Sequence, residues 1–209
     1  MAMPPSEPPV DQRIANATRV LMCAIGLLLT IVQVSAYGVD FANDTIGFGL
    51  VCLGAGGLVA GSAHPWWLLV SVSAGLAAVL SLFTYGGMVG QLVPYTYRLW
   101  STLFYLDTIA TAGVVIGLAL AARRQIQARH GRIGPWLPYV GGIYAVAAGL
   151  QVVVFGSESA YGVLGHVRQA VVLITGMTQI LIVIVTFLAA GDPALDTQKA
   201  APSRERPNV

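Results

Sequence analysis

Long apolar stretches constrain this chain more than any other feature of its sequence. A helix needs roughly 20 mostly apolar residues to cross the hydrocarbon core of a bilayer. Of the 209 residues, 56% are hydrophobic and 10% are charged, whereas roughly a quarter of the residues in a soluble domain are charged. The sequence therefore predicts an all-α, polytopic membrane helix bundle. Its six predicted transmembrane helices lie at about residues 18–38, 45–62, 66–87, 100–122, 136–155 and 168–190.

The division between the second and third spans depends on residues 61–67. The chain is apolar from Ile46 to Val89, which is too long for one crossing. Pro65 cannot donate a helical hydrogen bond, and tryptophans such as Trp66 and Trp67 are typical of a membrane interface. We therefore expect a turn here.

The basic residues predict the orientation of the bundle. With the N-terminus in the cytoplasm, the outer segments hold only Arg98 and Arg168. The inner segments then hold Arg13, Arg19, Arg123, Arg124, Arg129, Arg132, Lys199, Arg204 and Arg206. Because cytoplasmic loops are enriched in Lys and Arg, both termini are predicted to be cytoplasmic. The polar, Pro-containing segments 1–17 and 191–209 are predicted to be disordered tails around the transmembrane domain, residues 18–190. We expect a multi-pass protein of a bacterial inner (plasma) membrane.

Asp107 lies within the fourth predicted span, where an ionised carboxylate costs several kcal/mol. At 1.5 Å per residue it lies about 10 Å below Trp100. Helical spacing places Phe104, Thr108 and Thr111 on the same face as Asp107. This polar stripe is predicted to meet other helices rather than lipid.

Polar side chains on other spans are predicted to reach a comparable depth, in the outer half of the bundle. They are Gln33, Gln151, Arg168, Thr175 and Gln179. With Phe104, Thr108 and Thr111 they form the predicted substrate-binding set around Asp107, in a pocket open to the outside or to the outer leaflet. Two structural alternatives remain open: an ion pair of Asp107 with Arg168 or Arg98, or a neutral carboxyl hydrogen-bonded to Thr or Gln.

Several kinds of chemistry lack their usual sequence signatures. The chain has no GxxxxGK[ST], HExxH, CxxC, GxSxG or aspartate-rich diphosphate motif. Its three histidines lie on different sides of the predicted bundle. We therefore predict no metal and no cofactor. The small, scattered net charge of +2 predicts no nucleic-acid partner, so the expected partners are the lipid bilayer and a small molecule.

Small residues recur at helical spacing in two places. Gly57 and Gly61 form a pair in the second span, and Gly141, Ala145 and Gly149 form a longer stripe in the fifth. Such stripes let helices approach closely. These two stripes are consistent with assembly of subunits into a homo- or hetero-oligomer. They are also consistent with helix contact within one bundle.

The segment RLWSTLFYLDTIA, residues 98–110, resembles one stretch of the membrane-integral terpene cyclases of meroterpenoid and indole-terpenoid pathways. The resemblance rests on the Arg–x–Trp start and the embedded Leu-Asp pair. The proteins of that family have seven helices, whereas this chain has six predicted spans. The resemblance implies that membrane-embedded acids protonate an epoxide or alkene of an isoprenoid chain. Asp107 would be the candidate general acid, and Asp40, Asp44 or Glu158 would have to supply any second acid.

Three functions are consistent with these features. The first is a small membrane enzyme that cyclises a lipophilic isoprenoid substrate with Asp107 as the acid. The second is a transporter, or a solute-binding transport subunit, with an outward-facing polar pocket in which Asp107 binds a solute or carries a proton. The third is an accessory subunit of a larger membrane complex.

Overall fold

The computed structural model describes residues 10–31, 35–36, 39–40, 43–61, 65–83, 97–129, 134–156 and 165–190. Within them the chain forms six α-helices: α1 (Val10–Ile31), α2 (Asn43–Gly61), α3 (Pro65–Ser81), α4 (Tyr97–Arg129), α5 (Leu137–Gly156) and α6 (Gly165–Ala190). A single 3-10 turn, Gly134–Trp136, leads into α5. The two-residue strands β1 (Ser35–Ala36) and β2 (Val39–Asp40) pair antiparallel between α1 and α2. The predicted all-helical class is confirmed apart from this short pairing.

Four of the described helices are long and apolar enough to cross a membrane. Their apolar windows are Ile14–Ile31, Ser101–Arg123, Gly134–Val153 and Gln169–Ala190. The apolar stretches of α2 and α3, Asp44–Ala60 and Pro65–Ser81, are shorter. The chain is thus a membrane protein by the length and composition of its helices, while six crossings and cytoplasmic termini stay predictions.

Helix α1 differs from the first predicted span at both ends. It begins at Val10, inside the segment predicted as a tail, and ends at Ile31 rather than at residue 38. Hydropathy locates the part of a helix that lies in the membrane, whereas a helix can continue beyond it through polar residues such as Asp11 and Gln12. Strand β1 begins at Ser35, inside the predicted span, so that span was too long at this end. Residues 1–9 and 191–209 lie outside the described residues.

Each helix packs against the next one in the chain, α6 packs against α1, and α4 also contacts α6. The interior consists of buried aliphatic residues such as Val51, Val114 and Ile182. The outer surface is apolar as well: Ile109 and Leu173 are each 63% exposed. Helices that are hydrophobic all round are expected in a bilayer, where the outer residues face lipid.

Glycines bring two helix pairs unusually close. A β-carbon at Gly26 of α1 would lie 2.5 Å from the carbonyl oxygen of Gly47 on α2, and one at Gly47 would lie 2.6 Å from the carbonyl oxygen of Gly26. On α4, a β-carbon at Gly117 would lie 2.6 Å from Val70 of α3. These contacts set the antiparallel register of α1 against α2 and of α3 against α4.

Candidate functional site

Asp107 faces the interior of the bundle. It shares its face of α4 with Phe104, Val114 and Leu118, which are all buried. The Oδ1 atom of Asp107 is itself buried, and it accepts no hydrogen bond from any residue that the structure describes. A buried carboxylate oxygen is normally satisfied by a donor, so this atom is a candidate point of ligand or proton binding.

Two further titratable groups lie within electrostatic range of Asp107. One is Asp44, in the first turn of α2. The other is Tyr144 of α5, which is 4% exposed. The Tyr144 hydroxyl accepts a hydrogen bond of 3.1 Å from Nε2 of Gln179 on α6. Helices α2, α4, α5 and α6 therefore each contribute one polar group to a set that runs inward from the start of α2, which we call the interior polar cluster (Asp44, Asp107, Tyr144 and Gln179).

The register between α4 and α5 gives the relative depth of these groups. A β-carbon at Gly141 would touch Ala119 and Ile116 across the helix pair. Continuing this antiparallel register puts half-buried Gln151 level with Asp107, as the sequence predicts. Tyr144 is then level with Val114, which is two turns, or about 10 Å, further along α4 from Asp107. The cluster therefore extends along the bundle axis.

The structure separates some residues that the sequence placed together. Thr108 donates a 2.9 Å hydrogen bond to the Phe104 carbonyl and lines a groove on another face of α4. Thr175 is buried, but its hydroxyl bonds to the carbonyls of Val171 and Val172. Neither hydroxyl is therefore directed to Asp107. A threonine in a helix can donate its hydroxyl hydrogen to a backbone carbonyl three or four residues earlier instead.

The other predicted site residues lie as follows. Thr111 is half-buried on the inward side of α4. Phe104 is buried and stacks edge-to-face on Tyr105, with ring centroids 6.0 Å apart. Gln33 lies outside the described residues, as do the side chains of Arg98 and Arg168. The predicted ion pair of Asp107 with either arginine therefore stays a prediction.

The sequence interpretation missed Tyr144 as a site residue. Tyrosine is common at the membrane edge, where one end of its side chain meets water. Tyr144, however, lies in the middle of its apolar helix, within the window Gly134–Val153. A phenol at that depth needs a hydrogen-bonding partner, and this depth was the available signal.

A lateral groove opens on the opposite face of α4 from Asp107. It has a volume of about 420 Å³ and runs between α3, α4 and α5. Its lining is apolar except for Thr108: Leu69, Thr108, Ile109, Ala112, Gly113, Ile116, Ala145, Ala148, Gly149 and Val152. The sequence predicts a pocket around Asp107 that includes Thr108, whereas the groove that Thr108 lines lies on a different face of α4 from the acid.

The described residues contain no group of three or more His, Cys, Asp or Glu side chains placed to hold a metal ion. Cys23 and Cys52 are free thiols.

In comparisons with known proteins, no family model, no curated protein and no solved structure matches this chain.

Proposed function

We propose that this chain is a membrane transport protein in which Asp107 binds and releases a proton inside the helix bundle. The proposal includes six crossings, with α2 and α3 as short spans, and cytoplasmic termini in an inner (plasma) membrane. The distribution of arginines supports this orientation, because nearly all of them fall on one predicted side.

The observation that supports this function best is the buried Oδ1 of Asp107, which accepts no hydrogen bond within the described part of the chain. Ionisable residues inside membrane helices commonly belong to proton relays or ion pathways, since they are too costly to keep otherwise. A proton is the smallest ligand that satisfies a carboxylate, and it needs no cavity. The groove that the structure does contain lies on the other side of α4.

The remaining members of the interior polar cluster fit a proton route. Asp44 begins α2 near one end of the bundle, and Tyr144 lies about 10 Å deeper than Asp107. The Tyr144 hydroxyl accepts a bond from Gln179 and still has a hydrogen to donate. Groups that can accept and donate protons thus follow one another from the end of the bundle towards its middle.

The test is proton flux in liposomes that contain the purified protein and an internal pH-sensitive dye. A potassium diffusion potential supplies the driving force. We expect flux above that of empty liposomes, and we expect Asp107→Asn to abolish it while the melting temperature stays close to wild type. Thr111→Val is the matched control, because it removes a polar group from the same side of α4 without removing a titratable one.

Two results would contradict the proposal. One is equal flux in wild-type and Asp107→Asn liposomes. The other is no flux from folded wild-type protein. If Asp107→Asn and Asp107→Ala both unfold in detergent, the carboxyl is a structural element of the bundle instead.

A second candidate function is acid-initiated cyclisation of an isoprenoid, which the shared face of Asp107 and Phe104 favours. An aromatic face stabilises a carbocation, and a neutral carboxylic acid beside it can donate the first proton. Asp44 is then the candidate second acid, since it lies within electrostatic range of Asp107. The substrate would have to enter the bundle interior, because the lateral groove faces away from the acid.

Epoxidised farnesyl and geranylgeranyl compounds are the probes for this second function. Cyclic products, identified by mass spectrometry, are expected from wild-type protein and not from Asp107→Asn. Product formation by both proteins, or by neither, would exclude Asp107 as the initiating acid for these probes.

A further inference from the structure

The lateral groove matches an apolar chain better than a polar ligand. Thr108 contributes the polar group of its lining, and that hydroxyl already donates to the carbonyl of Phe104 at 2.9 Å. A polar ligand would lose hydrogen bonds to water there and gain few in return. The groove has a volume of about 420 Å³, which is in the range of ligand-binding pockets.

Small residues make the groove a recess between larger neighbours. Its lining includes the small residues Gly113 and Ala145 beside the larger Leu69 and Ile109. A β-carbon at Gly149 would have no atom within 4 Å, so the space above this residue is open. Two of the three helices that form the recess, α4 and α5, are long and apolar enough to cross a bilayer, so hydrocarbon chains surround it.

Arg123 provides a second, independent observation on the same face of α4. Ile109, Ile116 and Arg123 follow one another at seven-residue intervals, which places them along one line of the helix. Arg123 lies about 10 Å beyond Ile116, at the end of the apolar window. Its Nε atom is buried, and no described residue accepts its hydrogen. This Nε–H group therefore lacks an acceptor among the described residues, two helical turns beyond the groove residue Ile116.

We propose that the lateral groove and Arg123 together bind one anionic phospholipid from the leaflet on the Arg123 side. The phosphate accepts hydrogen bonds from the Arg123 guanidinium, and one acyl chain lies along Ile116 and Ala112 towards Thr108. Arginine suits this role because its planar fork matches a phosphate. The predicted orientation puts Arg123 at the cytoplasmic leaflet, where anionic lipids are concentrated. This site is independent of proton binding at Asp107.

The test is native mass spectrometry of the protein after reconstitution with equal amounts of dioleoyl phosphatidylglycerol and dioleoyl phosphatidylcholine. We expect one phosphatidylglycerol to be retained in preference to phosphatidylcholine. Arg123→Gln should reduce the preference about fivefold, which corresponds to the effect of one basic residue near a membrane surface. Arg123→Lys, which keeps the charge, should preserve part of the preference.

The groove has its own variant and control. Gly149→Leu fills the recess and should remove retention of both lipids, whereas Gly142→Leu should leave it unchanged. The two glycines are matched, because both lie on α5, both are exposed and neither has an atom within 4 Å of its β-carbon position.

Three results would overturn the proposal. They are equal retention of the two lipids by wild type, unchanged retention in both Arg123→Gln and Gly149→Leu, or equal loss in Gly149→Leu and Gly142→Leu. If the Gly142→Leu control loses the lipid and also forms dimers, a second copy of the chain covers this face instead.

Discussion

The α1–α2 and α4–α5 helix pairs both use small residues, and they use them in opposite ways. Between α1 and α2, Gly26 and Gly47 face each other so closely that either β-carbon would overlap the other backbone. Between α4 and α5, contact is close at Gly141, but the helices leave open space at Gly149. The first pair is closed and holds the bundle together, whereas the second opens into the lateral groove.

This difference shows that a small-residue stripe does not by itself define its role. Gly57, predicted as one half of a stripe, is covered by the Arg19 side chain of α1, with Nε 2.6 Å from its β-carbon position. It therefore faces a neighbour in the same bundle. Gly141 also packs inside the bundle, against Ala119, whereas Ala145 and Gly149 line the groove. Assembly of subunits through Gly61, Ala145 or Gly149 stays a prediction.

The largest effect is expected where the helices are closest. Gly26→Ala should destabilise the protein by about 3 kcal/mol, at the upper end of overpacking costs, because the new carbon would meet backbone atoms that cannot move aside. The melting temperature in detergent, followed by tryptophan fluorescence, measures this effect. Gly49→Ala on α2 is the control, since nothing lies within 4 Å of its β-carbon position. Similar melting of both variants would show that α1 and α2 are not closed in this way.

An intermediate effect is expected at the interior polar cluster. Tyr144→Phe should cost about 1 to 2 kcal/mol, because it removes the acceptor of the Gln179 amide in an apolar interior. The double variant Tyr144→Phe with Gln179→Leu should recover part of the loss, which a double-mutant cycle of melting measurements would detect. Tyr139→Phe is the control on the same helix, as Tyr139 is exposed. Strict additivity of the two changes would contradict the hydrogen bond.

The smallest effect is expected at the open helix pair. Gly149→Ala should change stability by no more than about 0.5 kcal/mol and in the stabilising direction, because glycine inside a helix is unfavourable and its neighbourhood is empty. Thermal melting beside Gly26→Ala gives the direct comparison. A loss as large as that of Gly26→Ala would mean that the groove is closed in the protein.

The sequence predicted the helical class and the helices themselves well, because apolar runs of this length leave few alternatives. It predicted helix ends poorly: α1 was placed too late at its start, since residues such as Asp11 and Gln12 are helical without being apolar. The inward direction of Asp107 followed from helical spacing, and the depth of Gln151 was inferred from its position near the outer end of the fifth predicted span. The partners of Asp107 could not be predicted in this way. The distance between two helices depends on their register, and glycines set that register through contacts that cannot be inferred from one helix alone.

The same limit explains the unrecognised Gly113 and Gly117. Their four-residue spacing is that of a close-packing motif. The sequence prediction for this helix, however, concerned the polar stripe of Asp107. In the structure Gly113 packs against Ser73 of α3, and Gly117 packs against Val70 of the same helix. The lateral groove was equally hidden in the sequence, because it forms from three helices whose apolar residues look alike.

Helix α6 provides its own hydrogen-bond partners for several buried hydroxyls. Thr175, Thr178 and Thr186 all donate to carbonyls within the helix, at 2.7 to 3.1 Å. Such a helix can enter a bilayer before its neighbours are in place, because these hydroxyls are satisfied without them. A shift of α6 along the bundle would keep those bonds but would break the hydrogen bond between Gln179 and Tyr144.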